Sequence, residues 1–371
     1  MPSRTPIVTP VLVDRLETMI ASDGPLPFER FMEIALYDPD GGFFAGTDLR
    51  SQKAGDFLTS PEVSPLFGET LARFVAGERD RIGGPFNLVE VAAGSGSLLR
   101  SLLAVEPFDS WAVEVSPPAR HALADLLGTD RVVASMDDVV TPLRGVILAN
   151  ELIDNLPMAV AQMTGEGWKE RWVGAGDDGL VFVDADPRDE VAAWLDAYAG
   201  TVEQGSWVEV QLEAGNWVTS TLGRLDQGCL VVIDYGDTAE NLAPRRRDGT
   251  LRTYRSHHLG PHPLDEPGAT DITADVNFTA LVDVARQAGA DVSLRRQDDF
   301  LAQHGLRERI SELRHRELEL ARSGEEMERL RVRTLRADAE TLMHPRGLGD
   351  FRVMVARIDG NASPSRDVEE I

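Results

Sequence analysis

The stretch LVEVAAGSGSLL, residues 88–99, decides the fold. The apolar residues around Glu90 predict a buried strand, and the small residues after it, with Gly94 and Gly96, predict a tight turn into a helix. Glycine permits positive φ at such a turn and lets a ligand lie against bare backbone. The helix N-terminus adds unpaired N–H groups and the positive end of the helix dipole. The stretch therefore predicts one edge of a ligand site.

Strands and helices alternate after this turn. The segment WAVEVS (111–116) predicts a second strand, and it places Glu114 about 20 residues after the glycines, where a carboxylate suits the two hydroxyls of a ribose. A helix at 117–128 and strands at 131–135 and 145–150 follow. This rhythm predicts a parallel, doubly wound α/β sheet whose ligands lie beyond the carboxyl ends of the strands. The residues expected at those ends are Gly94, Glu114, Asp137 or Asp138, Asn150 and Glu151.

Acidic residues dominate the charge of the chain. There are 62 Asp and Glu against 37 Lys and Arg, a formal net charge of −25, which argues against nucleic acid or an acidic membrane surface as a partner. The charge favours either a cationic substrate or an acidic surface that keeps the protein in solution. A single cysteine, Cys229, excludes an intrachain disulfide framework, so we expect a buried thiol and a reducing, cytoplasmic location. No apolar run approaches the ~18 residues of a membrane-spanning helix, and no membrane insertion is expected.

Patterning also predicts how the chain is divided. The predicted units are a helical N-terminal region (1–86) that contributes to the cleft, a Rossmann-like core (87–157 and 228–358), an insertion of antiparallel strands and helices on the substrate side (158–227), and a disordered tail (359–371). Within these units we expect 187–227 to be mostly helical, 237–275 to be a loop, 306–340 to be two helices divided at Ser323-Gly324, and 350–358 to be a closing strand.

Three polar residues lie at or just after the carboxyl end of the apolar strand 145–150. They are Asn150, Glu151 and Asp154, and core packing does not explain them. Two interpretations remain open. Either Asn150 or Asp154 caps a helix, or the carboxylates of Glu151 and Asp154 face the cleft and hold a cation by charge-assisted hydrogen bonds.

Two further groups of polar residues carry weaker signals. Asp234-Tyr235-Gly236 ends a predicted strand, and either these residues form another wall of the cleft or Asp234 caps the following turn. His257, His258 and His262 lie in a segment with no implied ligand geometry, so no metal site is predicted.

Ordered motifs along nearly the whole chain match a known family. The chain resembles the MidA/NDUFAF7 family of S-adenosylmethionine-dependent methyltransferases. The matching motifs are LYDPDGGFF (36–44), GDFLTSPEVSPLFGE (55–69), VEVAAGSGSLL (89–99), ANELIDNLP (149–157), IDYG (233–236), GTLRTYRSHH (249–258), DITADVNFTAL (271–281) and HPRGLGDFRVM (344–354). The resemblance implies a class I, Rossmann-like methyltransferase fold, with a seven-stranded, mostly parallel sheet, a helical N-terminal region and inserted elements. It also implies S-adenosylmethionine as the cofactor and a protein substrate, which for the mitochondrial member is an arginine side chain.

Strand-end position and the matching motifs together assign the site residues. We expect Glu151 and Asp154, with Glu62 as a third, to be catalytic carboxylates that orient a guanidinium and accept its proton. The residues expected to bind the cofactor are Glu114 at the ribose, Asp137 or Asp138 near the adenine, and Thr59, Ser60, Glu90, Gly94, Gly96 and Asn150.

One departure from the family pattern lies in the glycine turn. Family members usually have glycine where this chain has Ala92, and alanine is expected to exclude strongly positive φ there.

Two other functions stay open. A dinucleotide-dependent oxidoreductase shares the first half of the fold, although its third glycine is replaced here by Leu99. An assembly factor that binds S-adenosylmethionine without turnover would also keep the fold.

Overall fold

A computed structural model describes residues 10–45, 59–245, 247–255 and 258–360. The α-helices in these ranges are α1 (Pro10–Asp23), α2 (Phe28–Tyr37), α3 (Ser60–Val63), α4 (Pro65–Ile82), α5 (Ser97–Leu103), α6 (Pro117–Leu127), α7 (Asp189–Tyr198), α8 (Leu212–Leu222), α9 (Ala239–Leu242), α10 (Phe278–Gln287), α11 (Gln297–Gln303), α12 (Leu306–Ser323) and α13 (Glu326–Leu342). The strands are β1 (Leu26–Pro27), β2 (Asn87–Val91), β3 (Asp109–Val113), β4 (Val132–Val133), β5 (Leu143–Asn150), β6 (Ala159–Thr164), β7 (Gly167–Gly176), β8 (Gly179–Ala185), β9 (Trp207–Val210), β10 (Leu225–Asp234), β11 (Gly236–Asp237), β12 (Arg252–Arg255), β13 (His258–Leu259), β14 (Asp271–Thr273), β15 (Val276–Asn277), β16 (Asp291–Arg296) and β17 (Arg352–Ile358).

Seven strands form the central sheet, in the order β16-β17-β10-β5-β2-β3-β4. The strands from β10 to β4 are parallel, and β17 runs antiparallel to both of its neighbours. The inner strands are near-continuous apolar runs because helices cover both faces of the sheet. The predicted fold class is confirmed. The carboxyl ends of β2, β3, β5 and β10 meet along one edge, which is where ligands bind in such sheets.

Two apolar clusters flank this sheet. One contains α4, α5 and the helices near the C-terminus, and the other contains α8 and α10. Helix α4 begins at Pro65 because the Ser64 hydroxyl accepts a hydrogen bond from Leu66 N and proline suits the first helical position. The apolar residues of its inner face are buried, namely Leu66, Phe67, Leu71, Phe74 and Val75.

The insertion predicted at 158–227 is shorter in the structure. Helix α8 packs Ala214 and Val218 into the same cluster as the central-strand residue Val89, so it is a layer of the core. The prediction that 187–227 is mostly helical is also wrong at β9. That strand has four residues, too few to show a pattern, and it exists through antiparallel pairing with β6.

A second sheet contains the predicted antiparallel meander. Its order is β1-β7-β6-β9, with β8 beside β7. Strand β1 comes from the N-terminal region and pairs Leu26 with Val173. Leu16 of α1 and Phe31 of α2 pack against Val160 and Val173 of this sheet. The N-terminal helices and the inserted strands therefore share one apolar core.

The segment 237–275, predicted as a loop, contains a three-stranded antiparallel sheet of β13, β12 and β14. Strand β12 places Arg252 opposite Thr273 and Tyr254 opposite Asp271. Strands of two to four residues depend on their partners, which a local sequence pattern does not reveal. This small sheet brings β14 to the ligand-binding edge of the central sheet.

Helices α12 and α13 form the predicted hairpin. They are divided at Gly324, whose φ of 79° is left-handed, as is common where a helix ends in glycine. None of the helices in the described ranges has the length and apolar character needed to cross a membrane. The predicted tail at 359–371 lies outside the described residues from 361 onward.

Candidate functional site

A cavity of about 1300 Å³ lies beyond the carboxyl ends of β2, β3, β5 and β10. Of the predicted site residues, it is lined by Thr59, Glu90, Gly94, Glu114, Asp137, Asn150, Glu151 and Asp154. Four other predicted site residues are not among the described residues that line it, namely Ser60, Glu62, Gly96 and Asp138. Most of the predicted site is therefore brought together at the expected edge of the sheet.

The glycine turn and Glu114 are joined by hydrogen bonds. The backbone N–H of Gly94 donates to Glu114 Oε2 at 2.8 Å, and that of Ser116 donates to Glu114 Oε1 at 2.8 Å. Both carboxylate oxygens are thus fixed from the backbone, which orients the side chain at the cavity wall. Burial raises the pKa of Glu114, and these N–H donors oppose the shift.

Gly96 supports the turn from outside the cavity. Its φ is 79°, and a Cβ built there would come within 2.9 Å of Leu123 Cδ2 on α6. Glycine therefore lets α6 pack against the start of α5. Gly96 is not among the described residues that line the cavity, and its contact with the cofactor stays a prediction.

Ala92 adopts a left-handed conformation. The expectation that alanine excludes strongly positive φ is wrong, because Ala92 has φ of 55°. A non-glycine residue in this region costs about 1 kcal/mol or more, and the surrounding structure must hold it there. The turn keeps its shape without the glycine that the family usually has.

Replacing Ala92 with glycine should stabilise the protein. We expect Ala92→Gly to raise the free energy of unfolding by about 0.5 to 1 kcal/mol, because relief of the left-handed strain exceeds the added entropy of the unfolded chain. Urea denaturation measures this change. A loss of stability would mean that Ala92 does not have this backbone conformation.

Besides Asp154 Oδ1, which is described below, two oxygen atoms of cavity-lining residues are buried without hydrogen-bond partners among the described residues. They are Glu90 Oε2 and Asn150 Oδ1. Burial, together with repulsion from Glu114, raises the pKa of Glu90 well above its usual range, although Leu99 N–H donates to it. Buried polar atoms are nearly always paired, so these acceptors fit a ligand that carries N–H or O–H donors.

Only one of the two candidate aspartates near the adenine position lines the cavity. Asp137 does so, and the Arg224 guanidinium forms an ion pair with it. Asp138 is exposed and is not among the lining residues. The two residues lie in a single helical turn, which begins where Asp137 N donates to Ser135 Oγ at 3.1 Å.

The turn at residues 151–155 carries the predicted catalytic carboxylates. Glu151 has φ of 53°, an uncommon conformation for a residue with a side chain, and its N–H donates to Ile233 O at 2.8 Å. Burial and repulsion from Asp154 and Glu62 raise the pKa of Glu151 to about 8, although hydrogen bonds from Asn150 and Ser60 N–H oppose this. Glu151 is therefore a carboxyl group whose charge depends on pH near neutrality.

Asp154 is buried at 4% exposure, and its two oxygens differ. Thr273 Oγ1 donates to Oδ2 at 2.6 Å and the Tyr235 hydroxyl donates to the same atom. Oδ1 is buried without a hydrogen-bond partner among the described residues. Burial raises the pKa of Asp154, and the two hydroxyl donors oppose that shift.

Asp234 fixes this turn from the neighbouring strand. Its Oδ2 accepts from Ile153 N at 3.0 Å and Asp154 N at 3.2 Å, and its Oδ1 accepts from Tyr235 N at 2.9 Å. Asp234 is fully buried and is not among the lining residues. Of the two interpretations, the cleft wall is confirmed for Tyr235 and Gly236, which line the cavity, and is wrong for Asp234 itself. Asp234 does cap a turn, but it is mainly the acidic turn at 151–155 and not the turn that follows Asp234 in sequence.

The segment 59–62 lies next to Glu151, because Ser60 N–H donates to the Glu151 carboxylate. Thr59 and Glu62 form a capping box at the start of α3, in which Thr59 N–H donates to Glu62 Oε2 at 3.4 Å. Ser60 is fully buried, and its hydroxyl accepts from Gln297 Nε2 at 3.3 Å. Glu62 affects the site through repulsion of the Glu151 charge. Its catalytic role stays a prediction.

Sequence reasoning missed several residues at the site. Tyr37 on α2 donates its hydroxyl to Asn155 O at 3.0 Å, and Asn155 Nδ2 donates to Asp271 Oδ1 at 2.8 Å. Thr273 was missed as well, and Tyr235 was expected as part of a cleft wall but not as a hydrogen-bond donor to Asp154. All of these residues lie inside the motifs LYDPDGGFF, ANELIDNLP, IDYG and DITADVNFTAL, so the motifs were the available signal.

No group of three or more His, Cys, Asp or Glu side chains in the described ranges is arranged to hold a metal ion. His262 packs edge-on against Phe182, with ring centroids 5.5 Å apart. His258 is exposed, and His257 lies outside the described residues.

Comparison with known proteins gives the family. Residues 70–294, more than half of the chain, match the family described as "Putative S-adenosyl-L-methionine-dependent methyltransferase". The chain belongs to this family. The methyltransferase is 29% identical over 396 residues to the human mitochondrial protein arginine methyltransferase NDUFAF7, covering 94% of this chain and 83% of the human protein. It is 29% identical over 318 residues to the homologue from Drosophila melanogaster, covering 75% of this chain and 70% of that protein.

A solved structure shares the fold and contains the product form of the cofactor. This crystal structure, from Burkholderia thailandensis, is bound to S-adenosyl-homocysteine, and it is 28% identical to the methyltransferase with a TM-score of 0.85. The match covers 97% of this chain and 95% of that one. The predicted cofactor, S-adenosylmethionine, is confirmed, and membership of this family gives no support to an oxidoreductase.

The residues of the cavity fit this cofactor. Its hydroxyl, amino and ammonium groups are donors, and the cavity offers Glu114 together with the unpaired oxygens of Glu90 and Asn150 as acceptors. Asp137 and Arg224 lie further along the wall. Four of the predicted cofactor residues therefore carry acceptor oxygens and line one cavity.

Proposed function

We propose that this methyltransferase modifies a protein acceptor and that the methylated group is an arginine guanidinium. The observation that carries the proposal is the unpaired Oδ1 of Asp154, buried at the same cavity as the carboxylate of Glu151. A buried acceptor beside a second carboxylate suits a cation with several N–H donors. The names of the human and Drosophila relatives, protein arginine methyltransferases, support the same acceptor. The cytoplasmic location stays a prediction.

The carboxylates have two tasks in this reaction. A guanidinium is protonated in water and is a poor nucleophile, so the site must orient one nitrogen and remove its proton. When bound, S-adenosylmethionine supplies a methyl group on a positively charged sulfur. The nitrogen lone pair forms the new N–C bond, the C–S bond electrons remain on sulfur, and the nitrogen proton moves to a carboxylate. Glu151 suits proton acceptance because its pKa of about 8 lies close to neutrality.

The activity should depend on pH through Glu151. Below about pH 8 its carboxyl is increasingly protonated in the free enzyme and cannot accept a proton, so we expect kcat/KM for the acceptor to rise about tenfold per pH unit below that value and then level off. The titratable groups that face it are Asp154, Asp234 and Glu62. Initial rates from pH 5 to 9.5 measure this. A rise centred at pH 4 to 5, where an ordinary glutamate titrates, would contradict the role given to Glu151.

The acceptor is tested in two steps. Purified protein is incubated with S-adenosylmethionine that carries an isotopically labelled methyl group and a lysate of cells lacking the protein, and labelled residues are identified by mass spectrometry after proteolysis. We expect label on arginine. Label on lysine or a small amine would refute the arginine proposal. Binding of S-adenosylmethionine in calorimetry with no label in any protein would favour an assembly factor without turnover.

A further inference from the structure

We propose that Tyr235 and Thr273 are positioning residues, which hold Asp154 so that a single oxygen, Oδ1, binds the guanidinium of the acceptor. The proposal rests on the proposed function, because it names how that acceptor is held. Thr273 was not expected at the site from the sequence, and Tyr235 was expected there only as part of a cleft wall. Both are assigned here from the hydrogen bonds around one buried carboxylate.

The two carboxylate oxygens of Asp154 differ in their hydrogen bonds. Oδ2 receives two donors, the Thr273 hydroxyl at 2.6 Å and the Tyr235 hydroxyl, and these two hydroxyls also contact each other. Oδ1 is buried and has no hydrogen-bond partner among the described residues. Buried acceptors are nearly always paired, so a carboxylate with one oxygen satisfied twice and the other left unpaired is arranged for an incoming donor.

The donors come from elements that are separate in sequence and fixed in space. Tyr235 directly follows β10, its N–H donates to Asp234 Oδ1 at 2.9 Å, and its ring meets Phe351 edge-on at 5.6 Å. Thr273 ends β14 and lies opposite Arg252 of β12. The backbone of each donor is therefore fixed by its own element, and the Tyr235 ring is also fixed by Phe351.

The backbone of the acidic turn is held from two further sides. Asp234 accepts from Ile153 N and Asp154 N, and the Tyr37 hydroxyl donates to Asn155 O at 3.0 Å. Backbone and side chain of Asp154 are therefore both fixed before any ligand binds. Preorganised acceptors of this kind lose little entropy when a ligand binds, which favours affinity.

The two hydroxyls also affect the charge of Asp154. Burial raises its pKa, and the hydrogen bonds from Thr273 and Tyr235 lower it. Removing either donor should raise the pKa of Asp154 further and shift the onset of acceptor binding to higher pH. The titratable groups packed around Asp154 are Glu151 on its own turn, Asp234 and Tyr235 from β10 and the residue after it, Tyr37 from α2, and Asp271 from β14.

Three single substitutions test the proposal. Tyr235→Phe and Thr273→Val each remove one hydroxyl and nearly keep the side-chain volume. Thr273→Ser keeps a hydroxyl at the same position and serves as the control. We expect KM for the acceptor to rise about 5- to 20-fold in Tyr235→Phe and Thr273→Val. In Thr273→Ser it should stay within about twofold of the parent value. The Kd for S-adenosylmethionine should change less than about twofold in all three variants. An unchanged acceptor KM in both Tyr235→Phe and Thr273→Val would overturn the proposal, as would an equal loss of cofactor affinity.

A measurement without turnover separates this proposal from the proposed function. The protein is labelled with ¹³C at aspartate carboxyl carbons, and the Asp154 signal is assigned by its absence in Asp154→Asn. Titration should give a higher pKa for Asp154 in Tyr235→Phe and Thr273→Val than in the parent, and the parent value in Thr273→Ser. Unchanged values would overturn the positioning role even if arginine methylation is observed. Changed values would support it even if the acceptor proves to be another cation.

Discussion

Glu151→Gln is expected to lower kcat for methyl transfer by about 10²- to 10⁴-fold, because glutamine cannot accept the proton that leaves the nucleophilic nitrogen. The substitution keeps size and polarity, so the Asn150 amide and Ser60 N–H still have an oxygen to donate to. Cofactor affinity should change only a few-fold. Single-turnover rates with labelled S-adenosylmethionine, together with calorimetry of cofactor binding, measure the two quantities separately.

The same substitution should stabilise the ligand-free protein at high pH. In the folded state the pKa of Glu151 is about 8, and in the unfolded chain it is close to 4.5, so its contribution to stability is fully present below pH 4.5 and is lost as pH rises through 8. Between pH 6 and 9 this loss is on the order of 2 kcal/mol in the parent, and it should be absent in Glu151→Gln.

Urea denaturation at pH 6 and pH 9 tests this, with Glu166→Gln as the matched control. Glu166 is an exposed glutamate on the turn between β6 and β7, and the same change there should not alter the pH dependence. Full kcat in Glu151→Gln would remove it from the proton path. A stability difference that does not grow with pH would mean that its carboxyl is not held in a buried site.

The part of the site that could be predicted is local in sequence. Glu90, Gly94 and Glu114 follow from a strand, a turn and a second strand that are close along the chain, and the acidic turn follows directly from β5. The rule that ligands lie at the carboxyl ends of parallel strands then places these residues together without further information. This is why eight of the predicted residues line the cavity.

The part that could not be predicted depends on distant contacts. Tyr235 lies 81 positions from Asp154 and Thr273 lies 119 positions from it, and neither spacing leaves a periodic trace. Thr273 belongs to a strand of three residues that is stable only beside β12. The backbone of Ala92 was mispredicted for a related reason, because intrinsic preference disfavours its φ and the surrounding tertiary structure imposes it.

Gly145→Ala is expected to prevent stable folding, with a loss of more than about 4 kcal/mol in the free energy of unfolding. Gly145 has φ of 151°, and a Cβ built there would lie 1.8 Å from Asn87 O on the adjacent strand. That oxygen belongs to the backbone of β2 and cannot rotate away. We expect the variant to be found mainly in the insoluble fraction, and any soluble protein to unfold at a much lower urea concentration than the parent.

Gly77→Ala is the matched control, because it makes the same chemical change at an open site. Gly77 lies inside α4 with no atom within 4 Å of a built Cβ, so alanine there should stabilise the protein by about 0.5 to 1 kcal/mol. Normal stability in Gly145→Ala would mean that β2 and β5 are not spaced as the structure has them.

The consequence for the site follows from the strand register. Gly145 lies opposite Asn87 of β2 on one side and Gly228 of β10 on the other, and a Cβ at Gly228 would lie 1.8 Å from Gly145 O. The close approach of these strands at their starts fixes their register. At the other end of β5, Asn150 lies opposite Ile233, so that Glu151 and Asp234 leave their strands side by side. A slip of one residue would turn every side chain of a strand to the opposite face and separate Asp234 from the turn that it holds. Any Gly145→Ala protein that folds with a shifted register should therefore have a lower rate of methyl transfer than the parent. Gly77→Ala should keep the parent rate.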